Sequence, residues 1–561
     1  MGLVAAARSA IFGAAAAAIL APSLGGAQTA PGLPSRDELN PARRAAPQAP
    51  RPDLFLPPAA GPCPLEQSDV RLTLNSVTFR GLTGAAPEEL APAYAEFLGR
   101  EGPVSNLCVV RDRVADALFR KGLLTRVEIP QQEIAGGALT LEVIEAKIVN
   151  VQVRGDAGPA TPLVEAYAEK LRGLAPFDLD IAQRYLLLAS DIPGLRVRAT
   201  VRPNRGGERG AVDLDLTVAR DPYDGLVNVQ NMQAKATGRW GALGRVDFNS
   251  FTAFGERTSL VLYHTLDDEQ WVVQLLEEAR FGGDGLLGRL SLVYGESEPG
   301  GVLAPLDLKS ESFVGNAELA YPLIRKRRQN LTLAAGIDWI DQTTDIGGGG
   351  TFIDDSLRVA YVRAEADWRP MLAGRSLTLG ASASVRQGLS GLGASDGDSP
   401  LLSRADADPS ALVFTGSAFA LAPIAEKLTL YGRVEAQYSN DALLAYEELP
   451  VGNLTIGRGY DPAALSGDSG VAATLEARTG PFPIGPRVLA SPYLFYDVAH
   501  VDNNDAFGLE RTVDSAGVGV QFRLTSRATL DLVYAKAFDA PLPGAEKPGG
   551  RLMVNLTASL F

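Results

Sequence analysis

The residues best suited to specific chemistry lie late in the chain, in Ile456-Gly457-Arg458-Gly459-Tyr460, followed by Gly467-Asp468-Ser469-Gly470. Gly457 and Gly459 let the backbone fold tightly around one arginine. Held on a stiff loop, the Arg458 guanidinium offers a planar fork of donors that suits a carboxylate. A surface turn accommodates the same pentapeptide, so the motif takes its meaning from its surroundings. Ser466 and Ser469 flank Asp468, but the two histidines, His264 and His500, have no triad-like setting and read as loop residues. With two histidines and two cysteines, Cys63 and Cys108, a His/Cys metal cluster is excluded and no cofactor is expected. Asp502-Asn503-Asn504-Asp505 carries oxygen ligands suited to calcium, with an exposed polar turn as the competing reading.

The elements that must position Arg458 are strands. From Asp221 onward helical periodicity fades and two-residue alternation takes over. Leu377, Leu379, Ala381, Ala383 and Val385 alternate with small or polar residues, and so do Leu428, Leu430, Gly432 and Val434. Leu331 to Trp339 and Val518 to Leu524 repeat the pattern. Strands of about ten residues, apolar on one face and separated by Gly/Asp-rich turns, are the signature of a transmembrane antiparallel β-barrel. Lipid demands that every backbone polar group be satisfied, which closure achieves. The 341 residues of 221–561, at roughly 20 per strand and connection, give about 16–17 strands, and the even count of such barrels favours 16. Pro299-Gly300, Gly347–Gly350 and Gly391–Pro400 read as longer external loops, and Trp240, Trp271, Trp339 and Trp368 suit interfacial girdles or the core.

Ahead of the barrel stands a weak internal repeat. Asn75–Gly81 resembles Asn150–Gly155, with Arg80 matched to Arg154. Each copy, 70–145 and 146–220, reads β-α-α-β-β, a small α+β module. In the first, helices are expected over Glu88–Leu98 and along a stripe of Val110, Val114, Ala117 and Leu118. Residues 1–27 read as a secretory signal. The segment 28–69 is an extended linker, with ten prolines within 28–64 and a capping-box pattern at Ser35-Arg36-Asp37-Glu38. Export permits a Cys63–Cys108 disulfide, worth roughly 4 kcal/mol on the chain-entropy model, against two free buried thiols. A net charge of -14 argues against nucleic acid as a partner.

This organisation resembles the outer-membrane transporters of two-partner secretion, the haemolysin-activator type, within the superfamily of POTRA-bearing barrels. Phe119–Gln132 followed by Gly137–Leu141 is similar to the family's first POTRA domain. Val451-Gly452-Asn453 leading to Arg458-Gly459-Tyr460 and Gly467-Asp468 is similar to its inward-folded extracellular loop, with Gly457 where valine is commoner. Phe495-Tyr496-Asp497-Val498-Ala499 resembles the F-x-D-x-G motif of a later strand, with Ala499 replacing glycine.

The resemblance implies that Arg458 is held by Asp497 inside the lumen, the alternative for Asp497 being a solvated lumen carboxylate. It also implies a non-enzymatic channel in a Gram-negative outer membrane, with the POTRA modules in the periplasm. The expected partners are a β-rich exoprotein client, unfolded in transit, membrane lipid, and the barrel-assembly machinery during biogenesis. A barrel-assembly insertase of the same superfamily is the alternative function.

Overall fold

The computed structural model describes residues 32–40, 53–55, 63 and 65–560, apart from 175, 205 and 505–507. The expected signal 1–27, most of the proline-rich stretch, Asp505 of the candidate calcium turn and the terminal Phe561 lie outside the described residues.

The first module comprises β1 (Ser76–Arg80), α1 (Asn106–Arg120), β2 (Thr125–Glu128) and β3 (Ala138–Glu145). β1 lies parallel to β3, which pairs antiparallel with β2. Val110, Val114 and Leu118, at helical spacing, are fully buried. The expected helix over Glu88–Leu98 is instead a pair of 3-10 turns, Pro87–Ala93 and Ala95–Phe97. Pro92 is the reason, since it lacks an amide donor and clashes with the preceding turn of an α-helix. A disulfide joins Cys63 to Cys108 near the start of α1.

The second module repeats the topology with β4 (Lys147–Gly155), α2 (Thr161–Glu169), α3 (Leu179–Ser190), β5 (Leu195–Pro203) and β6 (Ala211–Arg220). Here β4 runs parallel to β6 and β5 pairs antiparallel with it. The Asp178 side chain caps α3 by accepting from the amides of Asp180 and Ile181.

Sixteen antiparallel strands, from Tyr223–Gln230 to Arg551–Ser559, then close a barrel, with the two-residue strand Phe482–Pro483 as an extra pairing. First and last strands meet over only five residue pairs, Leu226↔Ser559 to Gln230↔Asn555. The alternating apolar residues point outward: Leu262, Val362, Leu475, Leu494, Val518 and Leu552 are each more than half exposed. Their neighbours in sequence, among them Gln274, Glu318 and Arg386, line the lumen and bond to one another or to the inward loops.

Strand length departs from expectation. Leu308–Arg325, Gln329–Ile346 and Gly350–Trp368 run to 18 or 19 residues, and Gly347–Gly350 forms a tight hairpin turn, not a long loop. These strands outrun the membrane. Trp368 pairs with Gln329, and Trp339 pairs with Arg358. About ten residue levels separate the two pairs, or about 25 Å at 3.3 Å per residue and a 40° tilt, which matches an apolar belt. Beyond the upper tryptophan, Asp341, Thr343 and Asp345 continue its face of the strand, and the buried Arg358 guanidinium lies 3.8 Å from the Trp339 ring centroid.

The second module sits on the near rim. Arg325 pairs with Asp191 at 2.6 Å, Lys326 with Asp180 at 2.6 Å and Lys170 with Asp284 at 3.0 Å. The Arg280 guanidinium donates to the Asp191 carbonyl at 2.6 Å.

Candidate functional site

The strands Leu428–Ser439 and Ser469–Thr479 are joined by a connection that turns back into the lumen. A short ladder between Leu449–Val451 and Leu465–Gly467 stiffens its stem. Arg458 stands at its tip. The guanidinium donates to Asp497 through Nε at 3.0 Å and Nη2 at 2.6 Å, and the Arg458 amide adds a bond of 2.9 Å to the same carboxylate. Nη1 donates to Glu476 at 2.7 Å and Nη2 to Thr474 at 2.7 Å. The cation lies 3.5 Å from the centroid of the Phe495 ring. Asp497 is 1% exposed and Glu476 4%, so this is a desolvated, multiply bonded ion pair.

Glu476 and Thr474 were not singled out in the sequence, although the signal is there. They alternate with outward-facing Leu475 and Ala473 on the strand that follows the loop. Strand pairing sets Thr474 opposite Asp497 and Glu476 opposite Phe495.

The two glycines have different duties. Gly457 has φ +121°, a conformation that disfavours side chains, whereas a Cβ at Gly459 would come within 2.7 Å of Ser515 Cβ and the Ala537 amide. Gly459 therefore serves close approach, not backbone freedom. The buried Tyr460 hydroxyl lies 2.9 Å from the Asp514 carbonyl and 3.1 Å from that of Asp539. Gly467 packs just as tightly, since a Cβ there would meet Val501 Cβ at 2.7 Å.

Asp468 is fully buried and forms a second anchor. Its carboxylate takes a two-pronged bond from Arg404, at 2.5 and 3.2 Å, and accepts the amides of Leu443 at 2.8 Å and Asn504 at 2.7 Å. Arg404 also pairs with Glu448 at 2.9 Å. It belongs to the connection between Thr378–Gly388 and Leu412–Ala425, which contains Gly391–Pro400 and also sends residues inward.

The N-terminal segment is the third lumen occupant. Between Pro34 and Pro41 the chain makes one turn, closed by Ser35 Oγ donating to Glu38 Oε2 at 2.8 Å and by the Ser35 amide at 3.0 Å. Leu39, 2% exposed, packs among Val261, Tyr263 and Val272 of the wall in a cluster that includes Leu402, Leu444 and Tyr446 of the two inward connections. Gln342 Nε2 donates to the Pro34 carbonyl at 3.2 Å. Arg36 adds positive charge near Glu447, which pairs with Arg386 at 2.6 Å.

His264 and His500 lie on strands, not loops: His264 pairs across from Trp271, and His500 Nδ1 is 2.9 Å from Thr512 Oγ1. Among the described residues no group of three or more His, Cys, Asp or Glu is placed to hold a metal ion.

Comparison with known proteins agrees with this architecture. Residues 210–524, more than half of the chain, match the family described as haemolysin secretion/activation protein ShlB/FhaC/HecB. Residues 72–146 match the ShlB-type POTRA domain. The outer membrane transporter CdiB of Escherichia coli is 24% identical over 195 residues, which span 34% of this chain and 31% of that protein.

Among solved structures, CdiB from Escherichia coli superposes with a TM-score of 0.69 at 16% identity, covering 89% of this chain and 93% of that one. CdiB from Acinetobacter baumannii gives 0.64 at 14% identity, covering 93% and 96%. BamA from Haemophilus ducreyi lacking POTRA domains 1-3 gives 0.53 at 13% identity, covering 87% and 100%. At these identities the likeness is one of fold. Barrel, POTRA-type module and family match together show that this chain belongs to the ShlB/FhaC/HecB haemolysin secretion/activation family of outer-membrane proteins.

Proposed function

We propose that this protein is a translocation channel that carries a β-rich exoprotein, unfolded in transit, from the periplasm through the barrel to the cell surface. The observation that carries the reading is the ion-paired Arg458 at the tip of a connection folded into the lumen. Such a loop closes the conduit at rest and needs a defined latch that an arriving chain can displace. Arg458 is that latch, with Asp497 and Glu476 as its catch; Gly457, Gly459, Gly467 and Tyr460 fit the loop to the wall, and Asp468 ties it to the neighbouring connection.

The periplasmic modules suit capture of the client. The three-stranded sheet of the first module has open edges that accept an extended segment by strand addition, with backbone hydrogen bonds giving affinity and side-chain pockets giving selectivity, whereas in the second module Asp53–Phe55 already lies parallel along the edge strand Leu195–Pro203. Folding of the client outside prevents its return. The family match favours this exporter over the barrel-assembly insertase. Deleting the chain and analysing the culture medium tests the proposal. One large exoprotein should vanish while other outer-membrane barrels assemble normally; a general loss of those barrels would overturn it.

A further inference from the structure

Three consecutive turns of the periplasmic rim, 326–328, 369–377 and 426–427, carry Lys326, Arg327, Arg328, Arg369, Arg375 and Lys427 against a single acid, Glu426. That is a reversal of sign in a chain whose net charge is -14. Lys326 is committed to Asp180, and Lys427 lies 5.4 Å from the Phe482 ring centroid. The side chains of Arg328, Arg369 and Arg375 make no hydrogen bond or ion pair with any described residue. The Arg369 amide donates to the Arg328 carbonyl at 2.7 Å, so the first two turns are in contact.

Apolar surface adjoins this charge on the membrane side. Trp368, the residue before Arg369, is 47% exposed and marks the lower edge of the apolar belt. Met371 and Leu372, 50% and 68% exposed, project from the small hairpin of the middle turn. Directly above, the outer wall is hollowed into a groove of about 590 Å³ between Trp368, Leu379, Ala381, Ala418, Ala420 and Gly432. Small residues on adjacent strands make the hollow, and no side chain among the described residues fills it.

We propose that this patch is a binding site for an anionic phospholipid of the periplasmic leaflet. One acyl chain lies in the groove beside Trp368, and the headgroup phosphate is held by Arg328, Arg369 and Arg375. Arginine forks match phosphate oxygens, and a polybasic edge beside exposed apolar side chains is the arrangement that attracts anionic lipid. A free phosphate has no use for the apolar groove, and the groove lies on the outward, lipid-facing wall beside Trp368, where an acyl chain is the apolar group at hand. The site does not depend on the export function and would orient the rim next to the docked second module.

The test is native mass spectrometry of the full-length protein in mild detergent, offered phosphatidylglycerol or phosphatidylethanolamine with the same acyl chains. Phosphatidylglycerol should be retained at least 5-fold over phosphatidylethanolamine, and the R328Q/R369Q/R375Q triple variant should lose that retention at least 10-fold. Ala420→Trp, which fills the groove, should lower retention with the arginines intact, and millimolar inorganic phosphate should leave the lipid in place. Heat-modifiable gel mobility reports barrel folding for each variant, and the triple variant, confined to turns, decides the matter if Ala420→Trp fails to fold. Equal retention of the two lipids, or of one lipid by wild type and triple variant, overturns the proposal. Displacement by inorganic phosphate would make it a free-anion site, and a dimer abolished by Ala420→Trp would make the groove an interface between copies.

Discussion

At the residue scale, Arg458 is bound by two carboxylates, and this changes what a charge-swap experiment should show. Both acids are buried, and removing the cation leaves Asp497 uncompensated and Glu476 with Arg478 alone, at 2.6 Å, for a local cost of about 3–5 kcal/mol. Water entering the vacated lumen rehydrates them once the loop is free, so the cost falls on the loop's inward position. Arg458→Ala should therefore cut secretion by at least 10-fold while shifting the thermal midpoint of the sixteen-stranded barrel by only a few degrees. Exchange of Arg458 and Asp497 alone leaves Glu476 facing a carboxylate at position 458, so its rescue should be partial. Adding Glu476→Gln to that exchange should raise secretion further. Quantifying exoprotein in the medium for the three genotypes checks this; no gain from the third substitution would remove Glu476 from the latch.

At the scale of elements, the N-terminal turn and the two inward connections share one apolar cluster, so the three segments inside the lumen are mechanically joined. Burial of Leu39 contributes about 2 kcal/mol to holding the turn in place. Leu39→Asp puts a carboxylate into that cluster and should expel the segment. In planar bilayers, ion conductance should rise several-fold in Leu39→Asp and rise similarly when residues 32–40 are deleted. Unchanged conductance in both would mean that the connections seal the lumen without help.

For the whole molecule, the second module is held on the rim by ion pairs whose strength depends on pH. Asp284 has its pKa lowered from the usual 3.8, first by the hydrogen bond from Lys170. Lys170 is correspondingly raised from the usual 10.5 by that same bond. A lowered acid contributes stability above its unfolded pKa and loses it as pH falls through the folded value; a raised base contributes below its unfolded pKa and loses it as pH rises. The contact is thus complete from about pH 4 to about pH 10. Both groups are exposed, so the effect is modest and reduced by salt. Hydrogen exchange in α2 and α3 should accelerate below pH 4 after correction for intrinsic rates, and Asp284→Asn should reproduce that acceleration at pH 7. Exchange that is indifferent to both would place the docking energy in the other ion pairs.

Much of this protein was legible as a string of residues. Two-residue alternation with turn punctuation determines a barrel because the side-chain period of a strand is local, and the stripe Val110, Val114 and Leu118 determines α1 for the same reason. A proline inside a short helical pattern also acts locally, and Pro92 is the sequence signal for the tightening of Glu88–Leu98 into 3-10 turns. The motif residues Arg458 and Asp497 were visible through their family resemblance, and the structure sets them within hydrogen-bond distance. What the tertiary structure alone decided is non-local. Glu476 meets Arg458, Arg404 meets Asp468, and Leu39 joins the cluster that holds Leu444, across separations that only barrel closure and strand register bring together. Register also decides how far strands outrun the membrane, which turned Gly347–Gly350 from an expected loop into a hairpin turn. Alternation names the two faces of each strand; only closure says which face is lumen, and so which charges must find partners.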